Sequence, residues 1–392
     1  MSGFLPYARQ SIDEDDIAAV VEVLRGDWLT TGPAVERFEA AFAEAVGAAH
    51  AVAVSSGTAG LHLAVLVAGV GPGDEVIVPT MTFAASANCV RYVGGRVVFA
   101  DCRPDTLGVD PDHVASLVTE QTKAIVAVDY AGVPADLDDL LTLADRHGLT
   151  VIEDACHAPG ALYRGRRVGS ISHLSTFSFH PVKHLTTGEG GMVTTNDGDL
   201  AARLRRLRNH GIDSDARQRQ AAGTWEYDVA ELGFNYRLSD LNCALGLAQT
   251  AKLSRWVQRR RDLAARYRTA LADLPLRSIT EPTDRRSAWH LYPVMLDGHD
   301  AAARRAAVFA DLRSQGIGVN VHYRPVHLHS SFRALGWQAG QFPVAEDAYH
   351  RLLSLPMWPG MTDCDVDRVA SALTPALVAQ GEGIGDGPRQ HA

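Results

Sequence analysis

Cysteine is scarce and shows no pairing pattern. The five residues Cys89, Cys102, Cys156, Cys243 and Cys364 are odd in number and widely spread. No two stand in a CxxC spacing, which argues against a disulfide framework or a zinc ribbon. An excess of basic charge is also lacking. Lys and Arg total 37 against 46 Asp and Glu, a net charge of −9, so broad nucleic-acid binding is not expected. No apolar run is long enough to span a bilayer. The opening MSGFLPYARQSIDEDD turns acidic without an apolar stretch and does not read as a secretory signal. The expectation is a cytoplasmic protein with neither a nucleic-acid nor a membrane partner. No internal repeat is visible, and only the Gly-rich and polar final stretch AQGEGIGDGPRQHA reads as disordered.

What is present is ordinary for a large globular protein: 392 residues, 46 % apolar and 21 % charged. In SIDEDDIAAVVEVLRG, Ser11 followed by Glu14 predicts a capping box before an amphipathic helix. A second helix is expected after Gly32-Pro33. Short apolar runs at 50–54, 75–79, 96–100, 123–130 and 150–155 then alternate with helical segments. That rhythm predicts βαβ units and a mostly parallel sheet covered by helices on both faces. TFSFH (176–180) and GMVTTND (191–197) read as two more strands, seven in all. A long helical pattern from Ser239 to Leu274 reads as one connecting helix. WHLYPVML and a helix near 301–315 then read as a smaller α+β domain. The predicted organisation is residues 1–250 as an N-terminal segment with the large domain, 251–378 as linking helix and small domain, and 379–392 as tail. Functional loops in such a sheet lie at the carboxyl ends of the strands.

Four separated segments carry polar groups suited to one phosphorylated, carbonyl-bearing ligand. VSSGTAGLHLAV follows a strand and opens a helix, so Ser55, Ser56, Gly57 and Thr58 offer backbone N–H groups and hydroxyls to a phosphate. Many strand–helix turns share that composition, and no GK[ST] makes it a Walker loop. In VIEDACHAPGA, Glu153 and Asp154 end a buried strand. Asp154 suits a helix cap, a metal ligand or a partner for a cationic ring nitrogen. His157 suits either the site or the core. STFSFHPVKHLTTGEGG sets one amine, Lys183, among hydroxyls and glycines, with Ser178 five residues earlier. A desolvated lysine is the usual Schiff-base nucleophile, and a solvated lysine on a turn is the plain alternative. GFNYRLSDLNCA places Asn235, Tyr236 and Arg237 ahead of a helix capped at Ser239. His180, His184, His322, His327 and His329 match no metal-ligand spacing, so no metal is expected.

In this order and spacing, SSGTAGLHLA, EDACHAPGA, SFHPVKHLTTGEGGMVTTND and GFNYRLSD resemble the DegT/DnrJ/EryC1/StrS sugar aminotransferases. The likeness runs from the first helix to about residue 375. It implies the fold-type I architecture of pyridoxal-phosphate enzymes, in which a mostly parallel seven-stranded domain precedes a smaller α+β domain. By resemblance Lys183 would hold the aldehyde of pyridoxal 5′-phosphate, Asp154 would pair with its ring nitrogen, and Phe83 in PTMTFAASAN would stack on the ring. Gly57, Thr58 and Ser178 would hold the phosphate, and His157 would lie close to the cofactor. Asn235, and with it Arg237, would reach across a homodimer interface into a shared site. His322 and Tyr323 would face the sugar.

The family likeness further implies L-glutamate as amino donor and a nucleotide-linked keto sugar as acceptor. VDYAGVPADL, SFHPVKHLTTGEGG, WHLYPV and VNVHYRPVH are most similar to the branch serving pseudaminic acid biosynthesis, which implies a UDP-linked 4-keto-6-deoxy sugar. Two other functions share the scaffold. In a sugar dehydratase the lysine is replaced by His, whereas this chain keeps Lys183 beside His184. A non-catalytic regulator would lack the lysine or the strand-end Asp.

Overall fold

A computed structural model describes residues 3–214, 216–298 and 301–378. The stretch 379–392, expected to be disordered, lies outside the described residues. In chain order the first strands are β1 (His50–Val54), β2 (Glu75–Pro79), β3 (Arg96–Ala100), β4 (Thr122–Val128) and β5 (Thr150–Asp154). Two short strands, β6 (Leu162–Tyr163) and β7 (Arg166–Arg167), precede β8 (Leu174–Ser178) and β9 (Gly191–Thr195). The seven-stranded sheet has the order β1-β9-β8-β5-β4-β2-β3. Only β9 runs against the rest, pairing antiparallel with both β1 and β8. The mostly parallel, seven-stranded expectation is met.

The apolar runs are unbroken because the sheet is covered twice. Val76 and Val78 of β2 belong to one core, Ile77 to another; Ala124, Val126 and Val128 of β4 divide from Ile125 and Ala127 in the same way. Successive side chains leave a strand on opposite faces, so a strand buried on both loses the apolar-polar alternation. Each fully buried Val or Ile contributes roughly 1.5–3 kcal/mol of transfer free energy.

Beyond the sheet come β10 (Leu276–Ser278), β11 (Arg285–Arg286), β12 (Tyr292–Leu296) and β13 (Leu352–Leu355). Strands β10, β12 and β13 form an antiparallel sheet against the helix Ala301–Ser314, on which the helix Asp363–Val378 packs in turn. Strand β11 joins β6 and β7 in a third sheet. The amino-terminal residues reach over to this later part of the chain. Leu5 N–H donates to the Gly316 carbonyl at 2.9 Å, and Met357 N–H donates to the Tyr7 carbonyl at 2.9 Å.

Two local expectations are corrected. The first helix runs from Glu14 to Arg25, and its capping box is Asp13 with Asp16, not Ser11 with Glu14. Asp16 is buried because Gln249 Nε2 donates to it at 2.7 Å and Lys252 Nζ lies 2.9 Å away. Those partners lie far along the chain, and the local pattern cannot reveal them. The single connecting helix is two, Asp240–Thr250 and Leu253–Ala270. Lys252, at the break, turns its ammonium to Asp13 and Asp16, again a tertiary contact. Ser239 caps the first of the pair as expected, accepting from Asn242 N–H at 3.3 Å.

Candidate active site

The carboxyl ends of β1, β5 and β8 open on one cleft of about 310 Å³, lined among others by Gly57, Thr58, Phe83, Asp154, His157, Ser178, Lys183, His322 and Tyr323. Nine of the eleven residues to which the resemblance assigns a role therefore meet in one place. Asn235 and Arg237 do not. Asn235 is exposed, and Arg237 lines a separate cavity of about 300 Å³ with Arg205, Arg206, Arg208 and Arg217.

The floor of the cleft is a tight turn. Ser56 caps the helix Gly57–Val67, accepting from Ala59 N–H at 3.1 Å. A Cβ on Gly57 would stand 2.9 Å from Ser178 Cβ and 3.3 Å from Cys156 Sγ, and one on Gly191 would stand 2.6 Å from the Ser56 carbonyl. Both glycines are thus required by close backbone approach. The result is a helix N-terminus ringed by the hydroxyls of Ser56, Thr58 and Ser178, a donor set that fits a phosphate dianion. Tyr236 fastens the turn from outside: its carbonyl accepts from Ser55 N–H at 2.8 Å.

Lys183 sits on a loop closed on itself. Phe179 N–H donates to the Gly190 carbonyl at 2.9 Å, Thr187 N–H donates to the Phe179 carbonyl at 3.0 Å, and Lys183 N–H donates to the His180 carbonyl at 2.9 Å. Burial pushes the Lys183 amine below its ordinary range, while the negative character of Cys156 and Asp154 pulls it back up. Both effects act on the ammonium form, disfavouring it by desolvation and favouring it by attraction. Asp154 is held from two sides: Ser86 Oγ donates to its Oδ2 at 2.7 Å, and Cys156 N–H donates to its Oδ1 at 3.3 Å. Thr82 and Ser86 hydroxyls lie 2.7 Å apart and extend that chain.

On the far wall, Tyr323 and His157 are hydrogen-bonded at 3.1 Å with their rings nearly parallel, 18° apart. Burial drives His157 well below the usual imidazole range, and Lys183 adds to the effect; burial also drives the Tyr323 hydroxyl up. Both are therefore neutral at pH 7. His322 is pushed down to about 4 by burial and by Lys183, and its Nδ1 lies 2.9 Å from Ser354 Oγ. Phe83 is 58 % exposed, its ring centroid 6.1 Å from that of Tyr323. A large apolar ring left bare at a cleft mouth suits stacking on a flat ligand.

Sequence reasoning missed Tyr7, Thr82, Ser86, Cys156, Glu189 and His290. Thr82 and Ser86 flank Phe83 within one quoted segment, Cys156 lies between Asp154 and His157, and His290 lies in WHLYPV, so those positions were within reach. Tyr7 carries no local signal; the Gly316–Gly318 contact brings its segment in. His290 stands 4.3 Å from His157, ring to ring, and its carbonyl accepts from Nη1 of the fully buried Arg260 at 3.1 Å. Among the described residues, no three His, Cys, Asp or Glu side chains gather as metal ligands would, and no helix is long and apolar enough to cross a membrane.

The family model of the DegT/DnrJ/EryC1/StrS aminotransferases matches residues 10–374. Among solved structures, Spr1654 of Streptococcus pneumoniae is known in PMP, PLP and apo forms. Its PMP form matches with TM-score 0.91 and 31 % identity over 96 % of this chain and 99 % of that one. Helicobacter pylori PseC, an aminotransferase involved in the biosynthesis of pseudoaminic acid, matches with TM-score 0.89 and 31 % identity over 96 % and 100 %. DesV of S. venezuelae matches with TM-score 0.86 and 37 % identity over 95 % and 98 %.

Proposed function

The chain belongs to the DegT/DnrJ/EryC1/StrS aminotransferase family, and on that premise we propose that it is a sugar aminotransferase with pyridoxal 5′-phosphate as cofactor. The amino group passes from L-glutamate to a nucleotide-linked keto sugar. The observation that carries this reading is the meeting of the Lys183 amine, the Asp154 carboxylate and the Gly57 turn in one cleft. Each supplies what one end of the cofactor needs: an amine for its aldehyde, an acid for its ring nitrogen, and a helix N-terminus for its phosphate.

When bound, the cofactor supplies an electron sink for the carbon that loses its proton. The chain's residues do the rest. The N–H groups at Ser56–Thr58 and the Ser178 hydroxyl would hold the phosphate and so fix the cofactor's position. Asp154, its two oxygens fixed by Ser86 and Cys156, keeps an acceptor aimed at the ring nitrogen and favours the protonated ring. Burial raises the neutral fraction of Lys183, which lets Nζ take a proton from substrate carbon and return it on the other side of the reaction. Phe83 covers the ring, and Tyr323 with His157 closes the wall and limits water.

For the acceptor, the reading extends to UDP-2-acetamido-2,6-dideoxy-β-L-arabino-hexos-4-ulose, aminated at C4. Its supports are the likeness to PseC and the quoted segments, with His322 and Tyr323 facing the sugar. The test is incubation with L-glutamate and a panel of UDP- and dTDP-linked keto sugars, with mass and NMR analysis of the products. Stoichiometric glutamate consumption with a 4-amino product is expected. Dehydration without glutamate consumption overturns the aminotransferase reading, and amination of a different sugar alone overturns only the acceptor.

A homodimer with shared sites completes the proposal. Asn235 and Arg237 lie outside the cleft of their own chain, and the segment leading to them exposes Trp225 (82 %) and Leu232 (86 %), an apolar surface that a second copy would cover. Mixing inactive Lys183→Ala and Asn235→Asp proteins under subunit exchange is expected to restore about a quarter of the activity, since half the dimers are then mixed and each of these has one intact site. No recovery, with exchange confirmed by native mass spectrometry, removes the shared site.

A further inference from the structure

Behind Asp154 lies a second acidic group that the proposed chemistry does not use. Strands β4 and β5 pair with Ala127 opposite Glu153 and Val128 opposite Asp154, so Asp129 falls one step beyond the register, beside the same strand end. Asp129 and Glu153 are both fully buried, and their carboxyl groups lie within hydrogen-bonding reach of each other. Among the described residues, Asp129 Oδ2 and Glu153 Oε1 have no donor directed at them. Two carboxylates in contact in a dry interior cannot both carry charge; one proton between them satisfies both oxygens.

Each carboxyl has one further donor: Ser175 Oγ donates to Glu153 Oε2 at 2.6 Å, and the Ala135 N–H donates to Asp129 Oδ1 at 2.9 Å. The two oxygens left over are the ones a single proton would join. We propose that Asp129 Oδ2 and Glu153 Oε1 share one proton, and that the pair, bearing one negative charge, is a positioning device behind Asp154. Glu153 and Asp154 are consecutive on β5 and leave opposite faces of the strand, so the pair sets the field behind Asp154 without entering the cleft. The other titratable groups that feel the pair are Asp154 and Cys156. Burial, and then Glu153, hold Asp129 well above the ordinary aspartate range.

The protonation state stands independently of any function; the positioning role rests on the proposed cofactor. The first is tested on cofactor-free protein by difference infrared spectroscopy at neutral pH. A protonated-carboxyl stretch is expected in the parent and expected to vanish in both Asp129→Asn and Glu153→Gln, where an amide N–H replaces the shared proton. No such band, or a band that survives both substitutions, overturns the assignment. Stability gives a second readout. A raised carboxyl pKa means that the folded state holds a proton the unfolded chain releases above about 3.9, so the contribution of Asp129 is lost as pH rises toward its folded value. The melting temperature of Asp129→Asn is therefore expected to gain on the parent with rising pH; a constant difference overturns the proposal. Each single variant keeps one negative charge, whereas Asp129→Asn with Glu153→Gln has none. The double variant is expected to lose about tenfold in affinity for pyridoxal phosphate, one pKa unit of interaction, and each single variant much less. Equal losses in all three leave a purely structural pair. Failure of every variant, and of the parent, to bind pyridoxal phosphate indicts the proposed function and leaves the infrared result standing.

Discussion

Lys183→Ala is expected to lower kcat by roughly 10⁴-fold, the upper range for one positioned acid–base group, and to abolish covalent capture of pyridoxal phosphate. The attachment can be read without ambiguity because the chain contains only three lysines, Lys123, Lys183 and Lys252. Lys123 is exposed, and Lys252 is engaged with Asp13 and Asp16 and does not line the cleft. Borohydride reduction of the loaded protein followed by peptide mass mapping should therefore place the adduct on the peptide holding residue 183, and on no other. An adduct on either remaining lysine, or undiminished turnover by the alanine variant, refutes the assignment. A companion variant separates chemistry from folding. Burial disfavours the ammonium of Lys183, so the folded cofactor-free protein carries a cost that is full below the folded pKa and is gone only above the unfolded value of about 10.4. Lys183→Met removes that cost and should raise the melting temperature of the cofactor-free protein at neutral pH while remaining inactive, the usual exchange of stability for function at a working site. A lowered melting temperature would mean that the amine is a structural partner instead.

Asp154→Asn is expected to reduce kcat by roughly 10²–10³-fold, the scale seen when one oriented electrostatic contact is removed. The side chain would keep its shape and its place, because Ser86 fixes one oxygen and the Cys156 N–H the other. What is lost is the negative charge proposed to hold a proton on the ring nitrogen. The phosphate turn at Ser56–Thr58 is untouched, so the variant should still bind pyridoxal phosphate and still form a borohydride-reducible adduct at Lys183. Retained binding with lost turnover, measured on one preparation, distinguishes this role from collapse of the cleft. Turnover within threefold of the parent would show that the acid is only a strand-end fixture.

The parts of this molecule that were legible in the sequence are those fixed by near neighbours. Strands such as HAVAV and EVIVP match their segments residue for residue, because a strand buried on both faces needs an unbroken apolar run. The turn of small residues from Ser55 to Thr58 that opens a helix was legible too, because its composition is local; the cap that Ser56 makes there is a finding of the structure. The misplaced capping box and the undivided connecting helix have a common cause. Asp16, Gln249 and Lys252 meet across the fold, and neither helix end carries a local sign of it. Tyr7 was missed for the same reason, and the proton shared by Asp129 and Glu153 depends on an inter-strand register that no single segment records. Family resemblance supplied the roles of Asn235 and Arg237, which the isolated chain leaves outside the cleft.

The antiparallel β9 has a consequence for how the protein comes into being. It is wedged between β1 and β8, and Gly191 at its start passes so close to the Ser56 carbonyl that a Cβ there would clash. The earliest strand thus has no sheet neighbour until the chain beyond the lysine loop has left the ribosome. Nascent chains stalled before that point hold a bare strand edge, the feature most open to mispairing, and the proposed phosphate turn lacks its β9 support. Vitamin capture must therefore await synthesis of nearly half the polypeptide, so chaperone demand should fall once translation passes the β9 segment.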